Sequence, residues 1–189
     1  MLDILLTLEG AATAARVDDS LIIKIADGDR EALRTLFDAV SGNVYGFALS
    51  ITKDHHDADD VLQETFLKVY SNAKSYLPQG KPMAWIFTIA KNIANDKCRN
   101  RVRTAEFSDG LLYGADESHI ENAEQRLIIR TLFNELDDTE ARIVILHAAN
   151  GIKHRDIATL LSMPVGTVLS KCNRAVKKLR AYAKREELI

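Results

Sequence analysis

The segment from His154 to Arg180, HRDIATLLSMPVGTVLSKCNRAVKKLR, constrains this chain more than any other. Ile157, Ala158, Leu160 and Leu161 recur at helical spacing and predict one short helix. Met163-Pro164-Val165-Gly166 breaks that pattern, because proline lacks an N–H and glycine admits unusual dihedrals. Thr167 then offers an N-cap for a second helix. That helix places Val168, Cys172, Ala175, Val176 and Leu179 on one side. Ser170, Lys171, Asn173, Arg174, Lys177 and Lys178 fall on the other. An apolar stripe to seat the helix and a basic, amide-bearing face for phosphates and base edges are what a recognition helix requires. A helical hairpin with a solvated basic face is the plainer reading of the same corner. The motif alone points to DNA without saying what is done there.

The remainder of the chain predicts no sheet. It has 189 residues, 47% of them apolar, with three prolines and no alternating β-branched run. An all-α protein of one domain or two small ones follows. Cys98 and Cys172 are far apart in sequence and show no metal-ligand spacing, so a reducing, cytoplasmic compartment is expected and no metal or cofactor is implied. No apolar run reaches the length of a membrane span. Residues 1–17 lack a basic leader and carry Asp3 and Glu9, which argues against a signal peptide.

The formal net charge of -2 conceals a pattern. Residues 1–70 and 106–152 each carry a net charge of about −7, whereas 71–105 and 153–189 each carry about +6. A general nucleic-acid coat would be basic throughout. Two basic blocks alternating with two acidic ones suggest two separate DNA contacts, each attached to an acidic surface that faces another partner.

Taken in order, Asp18-Asp19-Ser20 caps a short helix from Leu21 to Ala26, and Asp27-Gly28-Asp29 opens a longer one. Its apolar series runs Ala32, Leu33, Leu36, Phe37, Val40, Val44, Phe47, Ala48 and Ile51. Asp54-His55-His56-Asp57 resembles a metal cluster at first sight. Adjacent histidines point apart on a helix, however, and the acids suit a helix start. In the helix that follows, Ala58, Val61, Leu62, Thr65, Phe66 and Val69 face inward, while Asp57, Asp60, Gln63, Glu64 and Leu67 form an outer strip. Lys74 to Lys81 is a loop containing Tyr76. Pro82 suits the first turn of the next helix, which sets Trp85, Ile86, Ile89, Ala90 and Ile93 toward the core. Thr88, Lys91, Asn92, Asn95, Arg99 and Arg103 form its polar side, with groups that can read base edges or neutralise phosphate. Residues 105–120 lose periodicity and read as an acidic linker. A helix from Glu121 and another capped by Leu136-Asp137-Asp138-Thr139-Glu140 form a scaffold. Gly151 ends the latter, and His147 reads as a residue at the edge of its core.

These motifs, in this order, resemble the extracytoplasmic-function (ECF) group of the sigma-70 family of bacterial RNA polymerase sigma factors. DADDVLQETFLKVY looks like the family's polymerase-binding helix, PMAWIFTIAKNIANDKCR like its promoter-melting and −10 reading helix, and the stretch from Leu136 to Leu179 like its −35 reading domain. The resemblance implies an extension at 1–17, a region 2 domain at 18–104, a flexible linker at 105–120 and a region 4 domain at 121–185. It implies that Asp57, Asp60, Gln63, Glu64 and Leu67 dock on the clamp coiled coil of the polymerase's largest subunit, with a further contact on the polymerase flap. Tyr76, Lys81, Thr88, Lys91, Asn92, Asn95, Arg99 and Arg103 would hold the −10 element, the Tyr76–Lys81 loop taking a flipped base. Arg155, Thr167, Ser170, Lys171, Asn173, Arg174, Lys177 and Lys178 would meet the −35 element. Leu169 and Cys172 depart from the family's usual basic residue and leucine. The resemblance further implies an anti-sigma factor as partner, a cytoplasmic location that such a partner can bring near the membrane, and neither small-molecule substrate nor enzymatic activity.

Two other readings compete. An ordinary helix-turn-helix regulator of the response-regulator type, not acting as a polymerase subunit, would need a βα receiver with clustered acids and a phosphorylatable aspartate, and the N-terminal half has no strand pattern. A helical metallohydrolase built on His55, His56, Asp57 and Asp59 is disfavoured by their spacing.

Overall fold

A computed structural model describes residues 17–104 and 130–185. The expected linker and residues 1–16 of the expected extension lie outside the described residues, as does most of the helix expected from Glu121. Among the described residues every regular element is helical. The elements are α1 (Asp19–Ala26), α2 (Arg30–Thr52), α3 (His55–Asn72), a 3-10 turn (Ala73–Ser75) and α4 (Pro82–Thr104). Residues 130–135 are helical, and α5 (Asp138–Val144) follows, running into a π-helical turn (Ile145–Ala149). The chain closes with α6 (His154–Leu161) and α7 (Val165–Arg185).

Aspartates start most of these helices, for one reason: a short carboxylate can accept the orphan N–H groups of a first turn. Asp18 accepts from Ser20 and Leu21 at 3.0 and 3.3 Å, Asp29 from Glu31 and Ala32 at 2.9 and 3.1 Å, and Asp54 from Asp57 at 3.0 Å. The Asp54 carboxyl is held below its ordinary value by the Asp57 N–H, with Arg101 nearby adding to the effect against the cost of partial burial. Asp137 and Glu140 form a complete capping box at α5, with reciprocal bonds of 2.8 and 3.2 Å.

The first half packs α2, α3 and α4 around Val44, Phe47, Ala48, Val61, Ile86, Phe87 and Ala90, all buried. Phe47 and Phe87 meet edge-on with centroids 5.1 Å apart. Such a pair contributes roughly 0.5–1.5 kcal/mol beyond area burial. The second half buries Ile143, Leu146, Ile157, Val168, Ala175 and Leu179 between α5, α6 and α7.

The halves also touch each other. α2 lies against α5 and its π turn, and α4 lies against α6. Polar groups make much of this joint. Arg142 donates to the Ser50 carbonyl at 3.2 Å, Asn43 to the Asn150 side chain at 3.2 Å, and Lys53 pairs with Asp138.

Two local expectations are corrected. The corner of the helix-turn-helix falls at Ser162-Met163-Pro164, starting one residue and ending two residues earlier than the sequence pattern suggests. Ser162 adopts the left-handed conformation (φ 55, ψ 46) and ends α6. Pro164 sits immediately before α7, where a missing N–H costs nothing. Thr167 is therefore in the first turn, its N–H bonded to the Pro164 carbonyl at 3.0 Å, and is not the cap. Gly166 lies inside the helix. The second correction is Phe37, expected in the apolar series of α2. It is 40% exposed and leans on Phe66 at the molecule's edge, centroids 4.8 Å apart.

Candidate nucleic-acid interface and partner face

The outer strip of α3 forms as its spacing requires. Asp60, Gln63 and Leu67 are exposed, while Asp57 and Glu64 are half-buried. Leu67 is 69% exposed, and Phe37 and Tyr70 are further exposed apolar side chains of the same half. The acids are not bare. Lys97 of α4 reaches Asp60 at 2.8 Å and Asp57 at 3.9 Å, Arg101 reaches Asp57 at 3.5 Å, and Glu64 pairs with Lys68 at 2.9 Å. The Asp60 bond in turn holds the Lys97 ammonium pKa above its ordinary value. This places basic residues of α4 on both of its edges, one toward the acidic strip and one toward the polar face. The α4 pattern in the sequence had not separated the two.

That polar face borders a cleft of about 480 Å³. Tyr76, Lys81, Trp85, Thr88 and Lys91 line it from the first half, and Asp156, Thr159 and Leu160 of α6 close it from the second. Tyr76 and Trp85 stand in tilted contact, centroids 4.9 Å apart. Trp85, expected in the core, is only half-buried and presents an aromatic wall to the cleft. The Tyr76–Lys81 loop is fastened to α1: the Tyr76 hydroxyl donates to Asp19 at 2.5 Å and the Gly80 N–H to the same carboxylate at 2.7 Å. Burial, and then the bond to Asp19, push the Tyr76 hydroxyl pKa far above its ordinary value, so it remains a donor.

Of the residues expected to hold the −10 element, Tyr76, Lys81, Thr88 and Lys91 converge on this cleft. Asn92 is exposed and Asn95 half-buried along the same helix, and Arg99 pairs with Asp96 one turn away. The Arg103 side chain lies outside the described residues. Lys81 and Lys91 are engaged across the joint. Lys81 meets Asp156 at 2.6 Å, and Lys91 donates to the Leu160 carbonyl at 2.5 Å.

On the second half, Arg155, Ser170, Asn173, Arg174 and Lys177 are exposed, and Thr167 is half-buried. Lys171 and Lys178 serve partly as struts. Lys171 pairs with Asp137 at 3.0 Å, and Lys178 with Glu140 at 2.6 Å, with Arg174 at 3.9 Å from the same carboxylate. Glu140 is 1% exposed, so these cations offset the cost of burying its charge. Leu169 is 43% exposed on the recognition helix, an apolar side chain among cations.

Sequence reasoning missed one grouping. His147, His154 and Cys172 come together, with potential ligand atoms all within 4.8 Å of one another. They are separated by 7 and 18 residues, and only the fold brings them together. A pair of histidines at the edges of consecutive helices was the signal available.

An all-helical chain whose basic, amide-bearing helix borders an aromatic cleft, joined to a basic helix-turn-helix, has the architecture of a promoter-binding factor. Comparison with known proteins agrees. Sigma-70 region 2 matches residues 36–104 and Sigma-70, region 4 matches residues 126–179. The ECF RNA polymerase sigma factor EcfG of Rhodopseudomonas palustris is 32% identical over 157 residues, covering 80% of this chain and 84% of that protein. SigM of Bacillus subtilis, another ECF sigma factor, is 27% identical, covering 79% of this chain and 94% of its own. Two solved structures share the fold. CnrH, in complex with the cytosolic domain of CnrY, superposes with a TM-score of 0.55 at 26% identity over 89% of this chain and 97% of that one. RpoE of Bartonella quintana, in complex with the anti-sigma factor NepR, gives 0.58 at 25% identity over 80% and 96%.

The chain belongs to the ECF RNA polymerase sigma factors. It is a subunit that binds core RNA polymerase, recognises −35 and −10 promoter elements and promotes DNA opening. It is not an enzyme, since the polymerase performs the chemistry.

Proposed function

We propose that the two halves divide the promoter, with residues 18–104 as the region 2 domain, 105–120 as the linker and 121–185 as the region 4 domain. Asp57, Asp60, Gln63, Glu64 and Leu67 dock on the clamp coiled coil of the largest polymerase subunit, where an exposed leucine beside acids suits a basic, partly apolar partner. The flap takes the second half. Tyr76, Lys81, Thr88, Lys91, Asn92, Asn95, Arg99 and Arg103 hold the −10 strand. The observation that carries this is the cleft walled by Tyr76 and Trp85 beside cationic Lys81 and Lys91. Unstacking a base costs a few kcal/mol, and an aromatic pocket with nearby cations is built to return it. Arg155, Thr167, Ser170, Lys171, Asn173, Arg174, Lys177 and Lys178 face the −35 duplex, with Lys171 and Lys178 exchanging their acidic partners for phosphate.

The partner of the free protein is an anti-sigma factor. Its support is that two proteins sharing this fold are seen bound to one or to a cytosolic domain. The chain works in the cytoplasm, where the polymerase is. No described helix is long and apolar enough to cross a membrane. Run-off transcription tests the reading: core polymerase plus this chain should initiate at a promoter with two short elements. Tight duplex binding by the chain alone, with no transcript from the mixture, would instead favour a regulator that never joins the polymerase.

A further inference from the structure

The side-chain cluster that promoter recognition leaves unused is His147, His154 and Cys172. His147 lies in the π-helical turn Ile145–Ala149, His154 is the first residue of α6, and Cys172 is on α7. One residue from each wall of the helix-turn-helix domain therefore points to a common place. Their nearest nitrogen and sulfur atoms all lie within 4.8 Å of one another. A tetrahedral zinc ion, at 2.0–2.1 Å from nitrogen and 2.3 Å from sulfur, holds its ligands roughly 3.3–3.7 Å apart. Small side-chain rotations close that difference.

The imidazoles are also prepared as ligands. His147 Nδ1 lies 3.0 Å from the Ile152 carbonyl, an acceptor only. In the neutral imidazole Nδ1 therefore carries the proton and Nε2 the lone pair. A backbone carbonyl fixing the tautomer from behind is the outer-shell arrangement of histidine metal ligands. The backbone around it is locked, with the Gly151 N–H on the His147 carbonyl at 2.9 Å and the Ile152 N–H on the Leu146 carbonyl at 3.0 Å. The two imidazole centroids are 3.9 Å apart. The five-residue π turn is itself informative, because such widened turns concentrate at functional sites.

We propose that His147, His154 and Cys172 bind a thiophilic transition-metal ion of the zinc class and thereby tie together the scaffold, the first helix and the recognition helix of the DNA-reading domain. Binding displaces the Cys172 thiol proton to solvent and leaves a thiolate on the metal. Three protein ligands leave a fourth position for water, so the ion is exchangeable rather than sealed in. Lys171 and Asn173 flank Cys172 on α7, which puts metal occupancy one residue away from the DNA-facing side chains.

The test uses the reduced full-length chain, freed of metal by a chelator. Cobalt(II) should bind at one ion per chain with a sulfur-to-metal charge-transfer band and tetrahedral visible bands, and zinc should bleach them. Cys172→Ser should abolish the charge-transfer band, and His147→Gln should weaken binding at least tenfold. A second readout needs no variant. Zinc should slow alkylation of Cys172 at least tenfold while leaving half-buried Cys98 as an internal control. The proposal is overturned if cobalt shows no sulfur band, if Cys172→Ser binds as tightly as the parent chain, or if zinc leaves Cys172 labelling unchanged.

Discussion

The Lys91 ammonium donates to the main-chain carbonyl of Leu160 at 2.5 Å, so a cation proposed to meet the −10 element is held by the first helix of the helix-turn-helix. Lys81 does the same through Asp156. In this arrangement the cleft proposed to take a flipped base is closed on one side by the protein's own second half.

Asp156→Asn should therefore open the cleft slightly. An exposed ion pair is worth 0–1 kcal/mol, so single-strand DNA binding by the free chain should tighten by up to about fivefold. The gain should shrink with added salt. Fluorescence anisotropy with an AT-rich strand measures it, and an unchanged affinity at low salt would show that the joint does not mask the cleft.

Glu64→Lys and Leu67→Asp should each weaken core polymerase binding at least about tenfold, equivalent to 1.4 kcal/mol. Neither touches the second half, so −35 duplex affinity should hold. Co-migration with core polymerase and a duplex titration separate the two effects. Equal polymerase affinity would remove α3 from the docking face.

The Asp137 capping box supports α5 and engages Lys171. Asp137→Ala should destabilise the chain by about 1 kcal/mol. Burial works to raise the Asp137 carboxyl, but the Glu140 N–H and Lys171 outweigh it and leave its pKa below the ordinary 3.8. Asp54 is depressed in the same direction. A depressed folded pKa means the unfolded chain binds the proton more readily. The stabilisation is therefore complete above the unfolded value near 4 and is lost as pH falls through the folded one. Denaturant titrations between roughly pH 6 and 3 should show the stability of Asp137→Ala falling less steeply than that of the parent.

Phe87→Ala should cost about 3–5 kcal/mol, because Phe87 is fully buried and meets Phe47 edge-on. Urea unfolding reads this directly. A loss under 1 kcal/mol would mean the first half collapses around the gap.

Much of the local structure was written in short-range chemistry. Asp18, Asp29 and Asp137 are legible as caps because one carboxylate and the next few N–H groups decide the matter. The outer strip of α3 and the basic face of α7 follow from a period of 3.6 residues. Phe37 was misread because periodicity states which face a residue takes, and not where the opposing surface stops. Thr167 was misread because it matched a cap, while the left-handed Ser162 and Pro164 had already turned the chain. Trp85, Lys81 and Lys91 acquire their surroundings from contacts across the joint. The His147–His154–Cys172 group depends on a π turn, whose extra residue per turn no helical pattern announces.

The Asp19 carboxylate holds both the Tyr76 hydroxyl and the Gly80 N–H. It therefore ties α1 to the Tyr76–Lys81 loop, although 57 and 61 residues separate the bonded groups. Displacing α1, by a partner or by tension on the chain ahead of it, would drag the aromatic wall of the cleft along. The first helix is thus placed as a lever on the cleft, at a site that includes none of the residues proposed to meet DNA.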